Sequence, residues 1–440
     1  MDVHCSTCGE PWDTCHLWHD AIWDTGLTEA EIREWESLPQ GEKLTPKWRT
    51  EFGAAGYRSL RNIRFPIGRL TVFVGANGVG KTNLYRALQL LQASAAGTLA
   101  RELASEGGME SAYWAGKRTP NRPVRIRLSV GLGASPQGQS EVGYAVEAGL
   151  VQQYNIDVGL RVPTGAAFLL EPQIKEETLT HHHGRRTIAL LERKGPAAFL
   201  RNEEGKREPL GIDLLASETA LGALQDPARS PDIHALRRTM LDWRFYHDMR
   251  TDRASPLRQP CLAVTTATLA SDGTDLAAVF ATLVHIRQDT VDLDHMIDDA
   301  FPGAKLVVPE PGRSASFGLL MPDYPMRVFE AGELSDGTLR YLGLAGALLG
   351  YRLPTFIALN EPETSLHPDL LEPLARMIIA ASTRTQIWVV THSERLAAAF
   401  AAAGAVTPRT VIKRKGETWI EGLRLSGDFG EEGEEDEEDD

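Results

Sequence analysis

Residues 75–83 read Gly75-Ala76-Asn77-Gly78-Val79-Gly80-Lys81-Thr82-Asn83. Gly75, Gly80, Lys81 and Thr82 match G-x-x-x-x-G-K-[ST], a spelling with a mechanism behind it. Successive amides of a glycine loop, with the positive end of the helix that follows, form a concavity for phosphate oxygens. Lys81 adds a point charge for β and γ phosphates, and the Thr82 hydroxyl is placed to ligate Mg²⁺. The alternative is a chance glycine-rich turn, and the flanks decide against it. Leu70 to Val74 is a short, apolar, β-branched run, and Leu84, Leu88 and Leu91 then recur at helical spacing. ATP with Mg²⁺ is the expected cofactor, bound by residues 75–83.

Three later stretches place chemistry at the ends of apolar elements. Glu333 to Arg340 reads ELSDGTLR and runs into the helical YLGLAGALLGY, so Ser335 and Gly337 lie at a helix N-terminus, where an anion is welcome. Phe356 to Leu359 is an apolar strand that ends in Asn360 and Glu361. A carboxylate there can accept a proton from an attacking water. Gln386 to Thr391 is a second apolar strand, ending in His392. Ser335 precedes Glu361 by 26 residues, and Glu361 precedes His392 by 31.

These motifs, with Gly56-Tyr57-Arg58-Ser59-Leu60 ahead of the loop, resemble the RecF/OLD/SMC-like group of ABC-type P-loop ATPases. From about residue 52 to 423 the chain is similar to bacterial proteins described as AAA-family ATPases of that class. The resemblance rests on GANGVGKTNLYRAL, WRFYHDMRTD, LSDGTLRYL, LNEPETSLHPDLL and WVVTHSE. It implies an α/β fold, an ABC-type ATPase head: a P-loop parallel sheet flanked by helices, an antiparallel β-lobe, a helical lobe and a small N-terminal extension. It implies that Ser335 and Gly337 act as the signature, facing the γ-phosphate of a second subunit. Glu361 takes the place of the glutamate that polarises water, and His392 that of the switch histidine. Asn360 occupies the position of the aspartate that orients the Mg²⁺ shell, keeping an acceptor oxygen and losing a charge. Asp336 and Thr338 replace the usual glycine and glutamine of the signature. No glutamine stands between Glu106 and Gly116, where such ATPases carry a Q-loop. Arg58 is either a nucleotide-facing residue or a surface arginine on an edge strand.

The expected organisation is an extension over 1–50, an N-terminal ATPase lobe over 51–120, an inserted β-rich then helical region over 121–330, a C-terminal ATPase lobe over 331–425 and an acidic tail over 426–440. Strands are expected at 123–132, 143–151, 167–176 and 187–192, a hairpin at 197–209, and helix over 212–250 and over 275–301; the phrase 242–252 that closes the first of these is expected to be a strand packing its aromatics, or else a nucleotide- or partner-contacting loop. His181, His182 and His183 are expected in a solvated loop. In the extension, Cys5-x₂-Cys8 and Cys15-x₃-His19 are two close pairs that suit tetrahedral Zn²⁺, or else free thiols in an aromatic cluster. The net charge is −14, but the last ten residues, EEGEEDEEDD, hold nine acids. The tail is expected to be solvated, and the composition argues against a strongly basic DNA-binding surface while leaving room for a local patch. Four cysteines, three of them within the first fifteen residues, do not form a disulfide framework. No secretory signal or membrane span is evident, so the expected location is the cytoplasm.

The functional expectation is an ATP-dependent switch: a head-to-tail homodimer closed by Mg-ATP and reopened by hydrolysis, serving DNA repair or anti-phage defence with DNA or a separate effector as partner. The rival is a nucleotide-gated module with little turnover that regulates a partner such as a nuclease. A DNA-bridging protein is opposed by the acidic composition and the absence of long heptad arms.

Overall fold

The computed structural model describes residues 49–117, 124–133, 142–150, 168, 170–183, 186–202, 205–247, 249–288 and 290–429. Cys5, Cys8, Cys15 and His19, and the acidic tail beyond 429, lie outside the described residues. Among the described residues no helix is long and apolar enough to cross a membrane.

The fold is α/β and is built on two main sheets, one largely parallel and covered by helices, the other antiparallel. A six-stranded sheet runs in the order Arg244–Tyr246, Phe356–Asn360, Gln386–Thr391, Leu70–Val74, Arg409–Arg414, Glu417–Ile420. Its first five strands pair in parallel and only the last is antiparallel. Phe356–Asn360 and Gln386–Thr391 are buried at every position, as strands covered on both faces must be. The pleat divides their side chains between two cores. Phe356, Ala358, Trp388 and Val390 face the helix Lys81–Ala96 and the second sheet. Ile357, Leu359, Ile387 and Val389 face the helices Leu276–Ala281, Asp336–Leu349 and Leu371–Ser382.

The second sheet is antiparallel and eight-stranded, in the order Leu60–Pro66, Arg49–Tyr57, Arg125–Leu132, Val142–Gly149, Gln173–His183, Arg186–Lys194, Ala197–Arg201, Arg207–Pro209. Its strands bury alternate residues, as at Ile126, Leu128 and Val130 of Arg125–Leu132. Trp388 ties the two sheets together: the rings of Phe73, Phe52 and Phe65 lie 4.6, 5.7 and 5.8 Å from it. Trp388→Ala is therefore expected to cost about 3–5 kcal/mol, read as a lower denaturant midpoint in equilibrium unfolding.

Several local expectations change. The strand expected at 167–176 lies at Gln173–His183, so His181 and His182 sit in a ladder opposite Ile188 and Thr187, not in a solvated loop. The β-branched Ile174, Thr178 and Thr180 favour extending that strand over ending it. Of the helical stretch expected over 212–250, only Ala220–Ala223 and Pro231–Asp242 are helical, while the closing phrase forms the strand Arg244–Tyr246, as expected for it. The helix expected over 275–301 breaks into Leu276–Ala281, a π-helical turn Thr282–Arg287 and Val291–Ala300, which leaves Ile286 exposed.

Candidate nucleotide site

Parallel register brings the chemistry to one edge. Asn360 pairs with Val390, and Val390 and Thr391 pair with Phe73 and Val74, so three neighbouring strands end together. Ligands of open α/β sheets bind beyond such carboxyl ends. The residues that follow are Gly75–Gly80, Glu361 and His392.

The glycine loop is shaped by close approaches. A Cβ on Gly80 would lie 1.9 Å from Thr418 Oγ1 and 2.5 Å from Ser59 Oγ, and its φ of +101° is left-handed. A Cβ on Gly75 would lie 2.5 Å from the Val411 carbonyl oxygen. Gly78, at φ +82°, has open space before it. Ser59 and Thr418 strap the loop. Their hydroxyls are 2.6 Å apart, Thr418 Oγ1 donates to the Val79 carbonyl at 2.7 Å, and Asn83 Nδ2 donates to Ser59 Oγ at 2.7 Å. No side chain caps Lys81–Ala96, so its first amides keep their capacity for an anion. Thr82 is exposed at the helix start. The buried Lys81 ammonium donates to the carbonyls of Gly75 and of Ala76, the latter at 2.8 Å. Burial pushes its pKa down, while Glu361 and Glu363 pull it back up. An open cavity of about 580 Å³ flanks the loop, lined by Gly75, Ala76, Val79, His392 and Lys413. A larger concavity of about 1010 Å³ lies on the outer face of the antiparallel sheet, apart from these groups.

Beyond the strand Phe356–Asn360 the chain turns sharply. Glu361 adopts φ +48°, a rare conformation for a side chain of its size, and its amide donates to the Val390 carbonyl at 2.7 Å. Its Oε1 lies 3.9 Å from His392 Nδ1. Glu363 is buried and closes the constellation. Its Oε1 accepts from Thr391 Oγ1 at 2.6 Å and the His392 amide at 3.1 Å, and lies 3.2 Å from His392 Nδ1. Glu363 therefore orients the histidine. Glu363→Ala leaves a buried hydroxyl without its acceptor and the ring without an anchor. Turnover is expected to fall about tenfold or more at nearly unchanged nucleotide affinity, as a kcat loss in steady-state kinetics.

Asn360 is buried, its Nδ2 2.8 Å from His247 Nδ1, and its Oδ1 has no hydrogen-bond partner among the described residues. A buried amide oxygen left without a partner is costly, and the hydrated shell of a cation would satisfy it. With the exposed Thr82 hydroxyl, this oxygen fits a Mg²⁺ site built on few protein ligands. The described residues hold no cluster of three or more His, Cys, Asp or Glu that would bind a metal ion.

Ser335 caps the helix Asp336–Leu349: its Oγ accepts from the Thr338 amide at 3.2 Å and meets Thr338 Oγ1 at 2.8 Å. Ser335 is exposed. The charge of Asp336 is met by Arg258, which donates to its Oδ1 at 2.6 Å and to the Leu334 carbonyl at 2.7 Å. The departure from glycine thus need not repel an anion at the helix terminus. Gly337 sits against the Glu361–Leu366 turn, where a Cβ would lie 2.8 Å from the Ser365 carbonyl oxygen.

In the Q-loop position the buried Glu106 accepts from Tyr57 at 2.8 Å, from Arg58 at 2.8 Å and from Arg86. Arg58, at φ +47°, is held there and is not free on an edge strand. Ser59, His247, Arg258, Glu363 and Thr418 were not singled out from sequence. Glu363 carried a signal in its position two residues after Glu361, and His247 lay inside WRFYHDMRTD. Thr418, 336 residues after Thr82, carried none.

Residues 70–398 match the family model described as "AAA domain, putative AbiEii toxin, Type IV TA system". The chain belongs to that family. No curated protein matches it by sequence. Among solved structures it is similar to an SMC head bound to the C-winged helix domain of ScpA, at 14% identity and TM-score 0.45 over 86% of this chain and 99% of that one. It is similar to the SMC head domain from Thermotoga maritima at 16% identity and TM-score 0.38, over 84% and 97% of the two chains. An SMC head with an extended coiled coil, bound to the C-terminal domain of ScpA derived from Pyrococcus furiosus, matches at 13% identity and TM-score 0.44, over 86% and 97%.

Proposed function

We propose that this AAA-family P-loop protein binds Mg-ATP on residues 75–83 and hydrolyses it in a site completed by Ser335 and Gly337 of a second copy. The observation that carries the reading is the convergence of Lys81, Asn360, Glu361 and His392 at the shared carboxyl edge of three parallel strands. The loop amides and the helix N-terminus bind the phosphates. Lys81 leaves the loop carbonyls it now contacts and meets the β and γ phosphates. Thr82 and Asn360 are the residues that would hold Mg²⁺, which when bound neutralises charge on the transferring phosphoryl group. Glu361 accepts a proton from the attacking water. His392, oriented by Glu363, stands beside it to contact the γ-phosphate.

Ser335 is exposed at a free helix N-terminus, and its hydrogen bonds stay within its own first turn. A second copy, arranged head to tail, would bring that terminus to the γ-phosphate. ATP then closes the dimer and hydrolysis opens it, a cycle suited to DNA repair or anti-phage defence through DNA or an effector protein. Phosphate release is the test, with and without duplex DNA. Turnover above a Lys81→Met blank supports an ATPase, whereas turnover equal to that blank favours a nucleotide-gated binding module.

A further inference from the structure

Where a carboxylate would present an oxygen whichever way it turned, Asn360 presents oxygen on one side and two N–H donors on the other. Something must select the side. The strand Arg244–Tyr246 pairs in parallel with Phe356–Asn360, Tyr246 opposite Leu359, and so delivers the next residue, His247, beside Asn360. His247 Nδ1 lies 2.8 Å from Asn360 Nδ2. The other side of the contact comes from the P-loop helix: the ring of Tyr85, three residues after Thr82, lies 5.8 Å from the imidazole and 5.5 Å from Phe245. An amide nitrogen only donates, so Nδ1 accepts and the ring proton sits on Nε2. With Nδ2 so engaged, the opposite atom of the amide, Oδ1, is the buried oxygen without a partner.

We infer that His247 is a positioning residue that holds the Asn360 amide with its oxygen, rather than its nitrogen, toward the Mg²⁺ of the bound nucleotide. The inference rests on the Mg-ATP reading above. Without the imidazole, no other hydrogen bond among the described residues favours one face of the amide. The flipped amide would aim N–H groups at a cation. An outer partner of this kind typically changes metal affinity about 10–100-fold when removed. His247 itself is exposed, so replacing it does not open the core.

The test uses the full-length protein loaded with ADP, with Mn²⁺ as the probe and the signal of free Mn²⁺ in electron paramagnetic resonance as the readout. His247→Ala is expected to weaken Mn²⁺ binding about tenfold while ADP affinity in EDTA stays unchanged. His247→Gln, whose amide oxygen can still accept from Asn360, is expected to recover part of the loss. In an Asn360→Asp background, His247→Ala is expected to change Mn²⁺ affinity less than about twofold, because a carboxylate has no wrong face. Wild-type Mn²⁺ affinity in His247→Ala would overturn the inference. So would an equal loss in the aspartate background, since the imidazole would then be acting on something other than the amide. A wild-type protein that binds ADP no better than Lys81→Met would instead sink the nucleotide reading, and this inference with it.

Discussion

Glu361→Gln is expected to bind Mg-ATP, to double its mass in light scattering when Mg-ATP is present, and to turn over at least about 100-fold more slowly than wild type. The substitution keeps the shape of the side chain and removes its ability to take a proton. General-base contributions of about 10²–10⁴ correspond to roughly 3–5 kcal/mol of barrier. The fold should not suffer. What holds residue 361 is its backbone, through the hydrogen bond to Val390 and the turn at φ +48°, and glutamine keeps both. If hydrolysis opens the dimer, blocking hydrolysis traps it closed. Wild-type turnover in this variant would remove Glu361 from the chemistry. A mass that stays that of one chain, with nucleotide demonstrably bound, would remove the shared site and leave Ser335 as an ordinary helix cap.

Lys81→Met is expected to lose at least about 100-fold in ATP affinity, close to 2.7 kcal/mol, without a lower melting temperature in the absence of nucleotide. Both halves follow from where the lysine sits. Its ammonium is buried against the carbonyls of Gly75 and Ala76, and burial lowers its pKa even with Glu361 and Glu363 nearby. Methionine fills the same stem volume and removes a charge held out of water, so lost hydrogen bonds and relieved desolvation offset one another. The phosphates lose a cation that nothing else in residues 75–83 supplies. Calorimetric titration measures the first half and a thermal melt the second. A drop of many degrees would show that Lys81 holds the loop together, and unchanged affinity would show that the phosphates bind elsewhere.

The legible parts of this protein were those whose chemistry is local. The P-loop is spelled in consecutive residues because strand, turn and helix N-terminus must follow one another to make a phosphate cradle. Glu361 and His392 were legible because each follows directly on an apolar strand, and a parallel sheet gathers all such ends along one edge. The fold class followed from the resemblance that these motifs carry. The elements read wrongly were those in which tertiary packing overrode a local pattern. The segment 275–301 keeps one helical pattern in sequence, yet it breaks at the π-helical turn Thr282–Arg287, and Ile286 is left exposed.

Composition and spacing by themselves determined a phosphate-binding loop, a carboxylate and a histidine in fixed order, and a sheet to carry them. Only the tertiary structure decided what holds those groups in place. Thr418 reaches the P-loop through the last strand of the sheet, Glu363 turns back to hold His392, Arg258 meets the charge of Asp336, and His247 reaches Asn360 from a neighbouring strand. The reason is physical. A group that does chemistry must sit at the end of its own element, so its place is written beside it. A group that orients another needs only a hydrogen bond within about 3 Å, which the folded chain can supply from any distance along the sequence.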